Sequence, residues 1–585
     1  MAHNKKTTPK KKTLLHSQMK RRIAPEIDAL RLGSGWKRSD LKHPWVLIES
    51  TYGESMPGSI HLKGLSDRVY HRVHAHGGAP ARYFCTDICD GVIQGTEEMQ
   101  LSLLSRDLIA QMAVLHFKTG HYDAAVFIAS CDKSLPALLL AMASLNIPSL
   151  LLPGGVMNAG ENDITLEQVG TAYAHAANGK ISKRAFINIQ NKSCPTCGAC
   201  AFLGTAVTMQ IMAEALGLAL PGSSALPAAS PHIMHAADNA GKTIMTMINN
   251  NGPTPRRILT KRAFHNALTI HAAIGGSTNA LIHLSAIAET VGIHLSASFI
   301  NAINKTTPYC VDIRPSGKWP ADRFSAAGGV PQLFSMLQKH LDLSVLTVTG
   351  KTWGDYIQKN KRIHTVAIKT NQTPKIFHPP ASPLRPTGAI RILHGNLAPD
   401  GAVIKVSALA ISSENCLIGK ARVFNTYTAL HKVLFHGKIK PATALVLRYQ
   451  GPCANGMPEL FYLTEALAAN PKLNTSVMLL TDGRFSGASR GPCIGHISPE
   501  AAQGGPIAVI ENGDYIELDI HNLTLNLIGT KNEKRLSIRQ AQQHIKRRLQ
   551  LWQRPASLPA DTGILRPMKK ALPLSRGALS VFRDI

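Results

Sequence analysis

The stretch Ala124-Ala-Val-Phe-Ile-Ala-Ser130 is apolar at every position but its last, and that lack of alternation restricts the fold more than any other feature. A strand with one wet face alternates polar and apolar residues, whereas an unbroken apolar run is buried on both faces, as in a parallel sheet covered by helices. Cys131-Asp132-Lys133 follows directly, and then an apolar helical pattern from Leu135 to Leu145 with Pro136 near its first turn, where a fixed φ is tolerated. Short apolar runs alternate with longer helical patterns from Val46 to about Lys375, which predicts parallel strands joined by crossover helices. Polar residues at the carboxyl end of such a strand face the crevice where open α/β sheets bind ligands.

A second helical pattern runs from about Thr205 to Leu218, with Val207, Ile211, Ala215 and Leu218 at helical spacing. Cys200 lies just ahead of it, where the positive end of a helix would favour a thiolate. Between Ile376 and Pro386, IFHPPASPLRP carries four prolines and reads as a linker. Beyond it come short strand-like runs, Ala444 to Tyr449 and Ser476 to Leu480, each followed by a glycine-rich loop. The expected class is α/β: a parallel-sheet α/β domain over 41–375 and a smaller β-rich, barrel-like domain over 389–550. A basic extension over 1–40, a linker over 376–388 and a C-terminal tail over 551–585 complete the division.

At 585 residues the chain can bury two or more cores. Its hydrophobic fraction of 44% and mean hydropathy near zero are those of a globular protein, and no apolar run approaches the roughly 20 residues of a membrane span. The first 22 residues are basic and lack the apolar stretch of an export signal, so a cytoplasmic location is expected. The net charge is +28, but the basic residues gather in that segment and in clusters from Lys531 onward, without interleaved aromatics. A nucleic-acid partner is not expected. Ten cysteines are too sparse for a disulfide scaffold, and three of them fall in Cys194-Pro-Thr-Cys197-Gly-Ala-Cys200, which points to thiolate metal chemistry in a reducing compartment.

Several segments together resemble the dihydroxy-acid dehydratase and phosphogluconate dehydratase family, which includes the sugar-acid dehydratases. They are ICDGVIQGTEEMQLSLLSRDLIA from Ile88, ASCDKSLPALLLAMASLNIP from Ala129, CGACAFLGTA from Cys197, GGSTNALIHLSAIAE from Gly275, LHGNLAPDGAVIK from Leu393, RYQGPCANGMPE from Arg448 and TDGRFSGASRGPCIGHISPEAAQGGPIA from Thr481. They occur in the family's order over roughly residues 40 to 520. The resemblance implies a hydro-lyase that takes water from a 2,3-dihydroxy carboxylic acid and leaves a 2-keto acid. Such chemistry needs a Lewis acid on the leaving oxygen, a cation at the carboxylate end and a base for the C2 proton.

The family counterparts of these groups map onto this sequence by motif. Cys131 and Cys200 match two cysteines that hold an iron-sulfur cluster. The third differs, because the dihydroxy-acid branch has a cysteine in a Pro-Cys-Asn segment where this chain reads Pro57-Gly58-Ser59. Cys89 resembles the phosphogluconate branch and is the replacement, with Cys194, Cys197 and Cys85 as rivals; a two-iron or four-iron cluster is left open. Asp90, Asp132 and Glu459 match hard oxygen ligands for Mg2+, and Lys133 looks like a carbamylated lysine that adds a further carboxylate. Carbamylation requires the neutral amine, which burial favours; the bland alternative is a lysine paired with Asp132. Ser486 matches the serine base, with Ser489 as its substitute.

The missing Pro-Cys-Asn cysteine turns the expected substrate toward a sugar acid such as 6-phosphogluconate, with a branched-chain dihydroxy acid of valine and isoleucine synthesis as the close competitor. A homodimer or homotetramer is implied by analogy with the family. A reading from a different class is a basic nucleic-acid-binding scaffold that has lost its activity; the intact Asp90, Cys131, Asp132, Lys133, Cys200, Glu459 and Ser486 argue against it.

Overall fold

The computed structural model describes residues 15–360, 375–409 and 416–580. The first 14 residues of the basic extension and the stretch 361–374, at the end of the expected α/β domain, lie outside the described residues.

The N-terminal sheet consists of β1 (Trp45–Ser50), β2 (Ala79–Phe84), β3 (Ala124–Ala129) and β4 (Ser149–Pro153), all parallel, in the order β2-β1-β3-β4. Every residue of β1, β3 and β4 is buried, the outcome that an unalternating apolar strand requires. Helices Leu62–Ala75, Ser102–Gly120 and Ser134–Leu145 make the three crossovers. Helix Thr205–Ala215 is buried along its whole length, and Lys261–Ile274 and Asn279–Thr290 over most of theirs; all three are apolar around most of their circumference.

The second sheet has eight strands: β5 (Ile390–Leu393), β6 (Gly401–Lys405), β7 (Cys416–Phe424), β8 (Thr443–Leu447), β9 (Met478–Thr481), β10 (Cys493–Ser498), β11 (Tyr515–Asp519) and β12 (Thr524–Gly529). Their order is β12-β11-β7-β8-β9-β10-β6-β5. Strands β7 to β10 run parallel, with short helices Tyr427–His436, Phe461–Ala468 and Pro471–Ser476 in the connections, while the flanking pairs are antiparallel. The two edges meet where His394 bonds the backbone of Leu523 and Leu525, each at 2.8 Å. That pairing nearly closes the sheet into a barrel and covers the edges an open sheet would leave exposed. Among the described residues no helix is long and apolar enough to cross a membrane.

The proline-rich stretch lies along the N-terminal region, with Asp312 N–H donating to Ile376 at 2.9 Å and His378 N–H to Cys310 at 2.8 Å. The chain end is anchored as well. Arg106, buried in helix Ser102–Gly120, donates to the carbonyls of Gly577 (2.9 Å) and Ala578 (3.2 Å), and Asp107 accepts from the backbone and hydroxyl of Ser580. Asp107 also pairs with Arg106 at 2.8 Å. Replacing Asp107 by Ala leaves a buried guanidinium without its counter-charge, which is expected to cost about 3–5 kcal/mol. Urea unfolding should register that loss together with faster proteolysis after residue 570; a loss under about 1 kcal/mol would mean the tail is held by its apolar contacts alone.

Candidate active site

Three carboxylates converge between the two sheets. Asp132 lies just past the carboxyl end of β3, Asp90 follows β2, and Glu459 comes from the loop ahead of helix Phe461–Ala468. An oxygen of each lies within 4.8 Å of an oxygen of the other two. Like charges that close in a buried site raise one another's energy unless cations intervene. Lys133 Nζ is 2.7 Å from Asp90, and Arg484 reaches Glu459 at 2.6 Å and Asp90 at 3.3 Å. Neutral donors complete the frame: Asn279 to Glu459 at 2.9 Å, Gln94 to Glu459 at 3.0 Å and Ser102 to Asp90 at 2.7 Å.

Asp132 is less well matched, since Lys133 stands 4.0 Å away and 19% of the aspartate side chain faces the cleft. Burial, countered in part by Lys133 and reinforced by Asp90 and Glu459, pushes it up to about 8. Asp90 goes the other way. Burial alone would raise it, but Lys133 and Arg484 hold it at about 2. The three acids therefore form a hard-oxygen cluster that could hold a metal ion.

Cys89, Cys131 and Cys200 line the same cleft as Asp132 and Glu459. A hydrogen bond between the sulfurs of Cys131 and Cys89 holds Cys89 below the ordinary thiol range and pushes Cys131 up. Burial pushes Cys200 well up, with the charges of Cys89 and Asp132 adding to it. The expectation that the start of helix Thr205–Ala215 would make Cys200 a thiolate is therefore not met by the helix alone; burial outweighs the dipole. Of the rival cysteines, Cys85, Cys194 and Cys197 do not line the cleft, and burial pushes Cys85 up to about 12. A side-chain carbon at Gly58 would sit 3.5 Å from Cys131 Sγ, so the position that lacks a cysteine does abut the thiol set.

Ser486 lies in the glycine-rich loop between β9 and β10 and lines the cleft, its Oγ accepting from the Ala488 N–H at 3.3 Å. The Ser489 hydroxyl turns instead to Thr464 Oγ1, at 3.2 Å. The cleft is partly open to solvent, and its remaining walls are mostly apolar: Leu166, Val169, Phe202, Phe461 and Tyr462. Gly204, Thr205 and Ala206, the first turn of helix Thr205–Ala215, also face it. Arg484, Asn279, Gln94 and Ser102 went unassigned in the sequence although all lie within the motifs quoted above. A charged or amide residue inside a motif, where surface side chains are the norm, was the available signal.

The descriptions "Dihydroxy-acid/6-phosphogluconate dehydratase N-terminal" and "C-terminal" match residues 43–356 and 375–571. The chain belongs to this dehydratase family. It is 37% identical over 559 residues to the dihydroxy-acid dehydratase of Caldanaerobacter subterraneus subsp. tengcongensis, covering 94% of this chain and 96% of that protein. The corresponding enzyme of Moorella thermoacetica is 37% identical over 546 residues, 92% and 94% of the two chains. That of Caldicellulosiruptor saccharolyticus is 38% identical over 501 residues, 84% and 88%. The protein is accordingly a hydro-lyase that dehydrates dihydroxy acids, and the reading as an inactive nucleic-acid-binding scaffold is not favoured.

The ionised Asp132 costs this dehydratase stability, because its folded value near 8 lies above the unfolded value near 3.9. The penalty is absent at low pH and grows as pH rises between the two. Asp132→Asn is expected to raise the thermal midpoint of the metal-free protein at neutral pH while removing its response to Mg2+. In the native protein Mg2+ at 100 times its dissociation constant should add about 2.7 kcal/mol. An equal Mg2+ response in both proteins would exclude Asp132 from the metal cluster.

Proposed function

We propose that this dehydratase converts a short, unphosphorylated 2,3-dihydroxy acid with an apolar branched chain into the 2-keto acid. The observation that carries the reading is one cleft that gathers three thiols, Ser486 and two acids of the carboxylate cluster, Asp132 and Glu459, against apolar walls, with Asp90 within 4.8 Å of both acids. No lysine or arginine is among its lining residues, whereas Asp132, Glu167 and Glu459 are. No cationic side chain lines the cleft to pair with a phosphate, which weighs against 6-phosphogluconate. The similarity to proteins named dihydroxy-acid dehydratase supports the branched-chain acid.

The donor chemistry fits two separate inorganic groups. Soft thiols suit an iron-sulfur cluster on Cys89, Cys131 and Cys200, and hard oxygens suit Mg2+ on Asp90, Asp132 and Glu459. Carbamylation of Lys133, buried and 2.7 Å from Asp90, would give Mg2+ a further oxygen. When bound, the cluster supplies Lewis acidity for the leaving hydroxyl and Mg2+ supplies charge for the carboxylate end. Ser486 takes the C2 proton on its Oγ. Arg484, Asn279 and Gln94 fix Glu459 in place, and the free N–H groups of the first turn at Thr205 favour an anionic substrate. Leu166, Val169 and Phe461 exclude water and hold the aliphatic end.

The same reading divides the chain at 376–388 into an α/β unit and a β-rich unit that share the site, in a reducing, cytoplasmic setting. It also makes the enzyme a homodimer. An exposed apolar face on Leu108, Met112 and Leu115 of helix Ser102–Gly120 supports that assembly.

Three measurements test the site. Cys89→Ala, Cys131→Ala or Cys200→Ala should abolish the visible iron-sulfur absorbance, while Cys194→Ala and Cys197→Ala keep it; full iron in Cys89→Ala would move the third ligand elsewhere. Ser486→Ala should keep iron and Mg2+ but lose about 100-fold to 10,000-fold in turnover. Near-native turnover would transfer the base role away from this serine. In a panel of acids, 2,3-dihydroxyisovalerate should exceed gluconate and 6-phosphogluconate in kcat/KM, and preference for a phosphorylated acid would defeat the substrate assignment.

A further inference from the structure

Lys405 is the last residue of β6 and is buried, with 7% of its surface exposed. Among the described residues no carboxylate pairs with it, and burial alone pushes it down to about 7. An unpaired ammonium in such a place is unfavourable for stability, and groups kept at that expense gather at functional sites. Among the described residues its surroundings carry no compensating charge. Ile390 of β5 lies beside it in the sheet, and the titratable group of the packed helix Lys261–Ile274, His271, is held down to about 4 by burial. On its other side β6 pairs with β10, where Ile494 stands opposite Ile404 and burial pushes Cys493 up to about 12 and His496 down to about 3; the serine loop lies beyond the strand end.

Lys405 Nζ lies 3.5 Å from the carbonyl oxygen of Gly487, at the long end of hydrogen-bond range. The nitrogen of that same peptide group belongs to Ala488, and its N–H donates to Ser486 Oγ at 3.3 Å. A cation at the oxygen of a peptide increases the positive character of its N–H, because chains of hydrogen bonds polarise one another. Gly487 itself is pinned by close approach, since a side-chain carbon there would stand 2.7 Å from Gly204 Cα.

We propose that Lys405 is a positioning residue for the proton-abstracting serine, acting through the Gly487–Ala488 peptide to stabilise the Ser486 oxygen as an anion. The inference rests on the base role given to Ser486 above. The C2 proton passes to Ser486 Oγ, and Lys405 keeps its own protons. The charge acts through one intervening peptide, so lysine and substrate need not touch.

The test compares Lys405→Met, Lys405→Gln and Lys405→Arg as holoenzymes over the neutral and alkaline range. Lys405→Met should keep its iron absorbance and melt no lower than the native enzyme, because an unpaired buried charge has been removed. Its KM should stay within about twofold while kcat falls about tenfold or more, the effect of raising the serine pKa by about one unit. Lys405→Gln keeps a donor without the charge and should fall with the Met variant. Lys405→Arg should recover most of kcat. It should also lack the native alkaline limb: the lysine is charged below its value near 7 and loses that charge as pH rises, whereas arginine stays charged.

Native kcat and pH profile in Lys405→Met overturn the relay, and if that variant does not fold, the same result in Lys405→Gln does so. A parallel loss of melting temperature and kcat without rescue by arginine reduces the lysine to a structural tether, which also overturns it. Ser486→Ala separates the two readings. Near-native turnover there removes the base itself, whereas loss there with a native Lys405→Gln removes only the relay.

Discussion

Electrostatic repulsion among three carboxylates is the constraint around which the rest of this structure is arranged. Asp90, Asp132 and Glu459 bring oxygens within 4.8 Å of one another in a largely buried site. At that distance two like charges in a medium of effective dielectric near 20 repel by several kcal/mol, of order 3–4. Arg484 is the piece that makes the arrangement tenable, because its two terminal nitrogens reach Asp90 from one half of the chain and Glu459 from the other. It is held in turn by the Met457 carbonyl at 2.9 Å and the Ser102 hydroxyl at 2.9 Å. The two sheets are thus joined through ionised groups, and the residual imbalance is concentrated on Asp132, the acid most open to the cleft.

That placement explains why the barrel is present. A β-rich unit could stand alone, but its loops after β8 and β9 are what deliver Glu459, Arg484 and Ser486 to acids fixed by the parallel sheet. The glycines in those loops allow the approach. Gly487 lies against Gly204, so a side chain there would push the loop off the first turn of helix Thr205–Ala215, and Gly483 lies against Gln450, so a side chain there would part the two loops from each other. Anchoring Arg106 and Asp107 to the chain end fixes helix Ser102–Gly120, whose first residue holds Asp90. The acid cluster, the serine loop and the C-terminal turns therefore share one set of supports.

Much of this could be read before the structure because the signals were local. The unalternating run at 124–130 carried the parallel sheet, and the motif after it put Asp132 and Lys133 at a strand end. Barrel closure was harder to see, since it depends on His394 meeting Leu523 and Leu525 some 130 residues away, and nothing in a short window marks that pairing. Burial opposes the helix terminus at Cys200 for a quantitative reason. A helix terminus is worth about 0.3–1 kcal/mol in most settings, whereas full burial can shift a thiol by several pKa units. Lys405 was invisible for another reason. A lysine ending an apolar strand reads as a solvated edge, and only the closed barrel turns it inward.

The thiols of the cleft are arranged around Cys131. Gly58 lies where a cysteine side chain would touch Cys131, at 3.5 Å, yet the chain has no thiol there. On the other side Cys89 meets the same sulfur through a hydrogen bond, one residue before Asp90. Its immediate neighbour, Asp90, is held at about 2 by Lys133 and Arg484, so an anionic thiolate at Cys89 adds to charge already balanced by two cations. Cys89 and Asp90 share a peptide bond, so the thiol set and the carboxylate cluster adjoin along the chain as well as across the cleft.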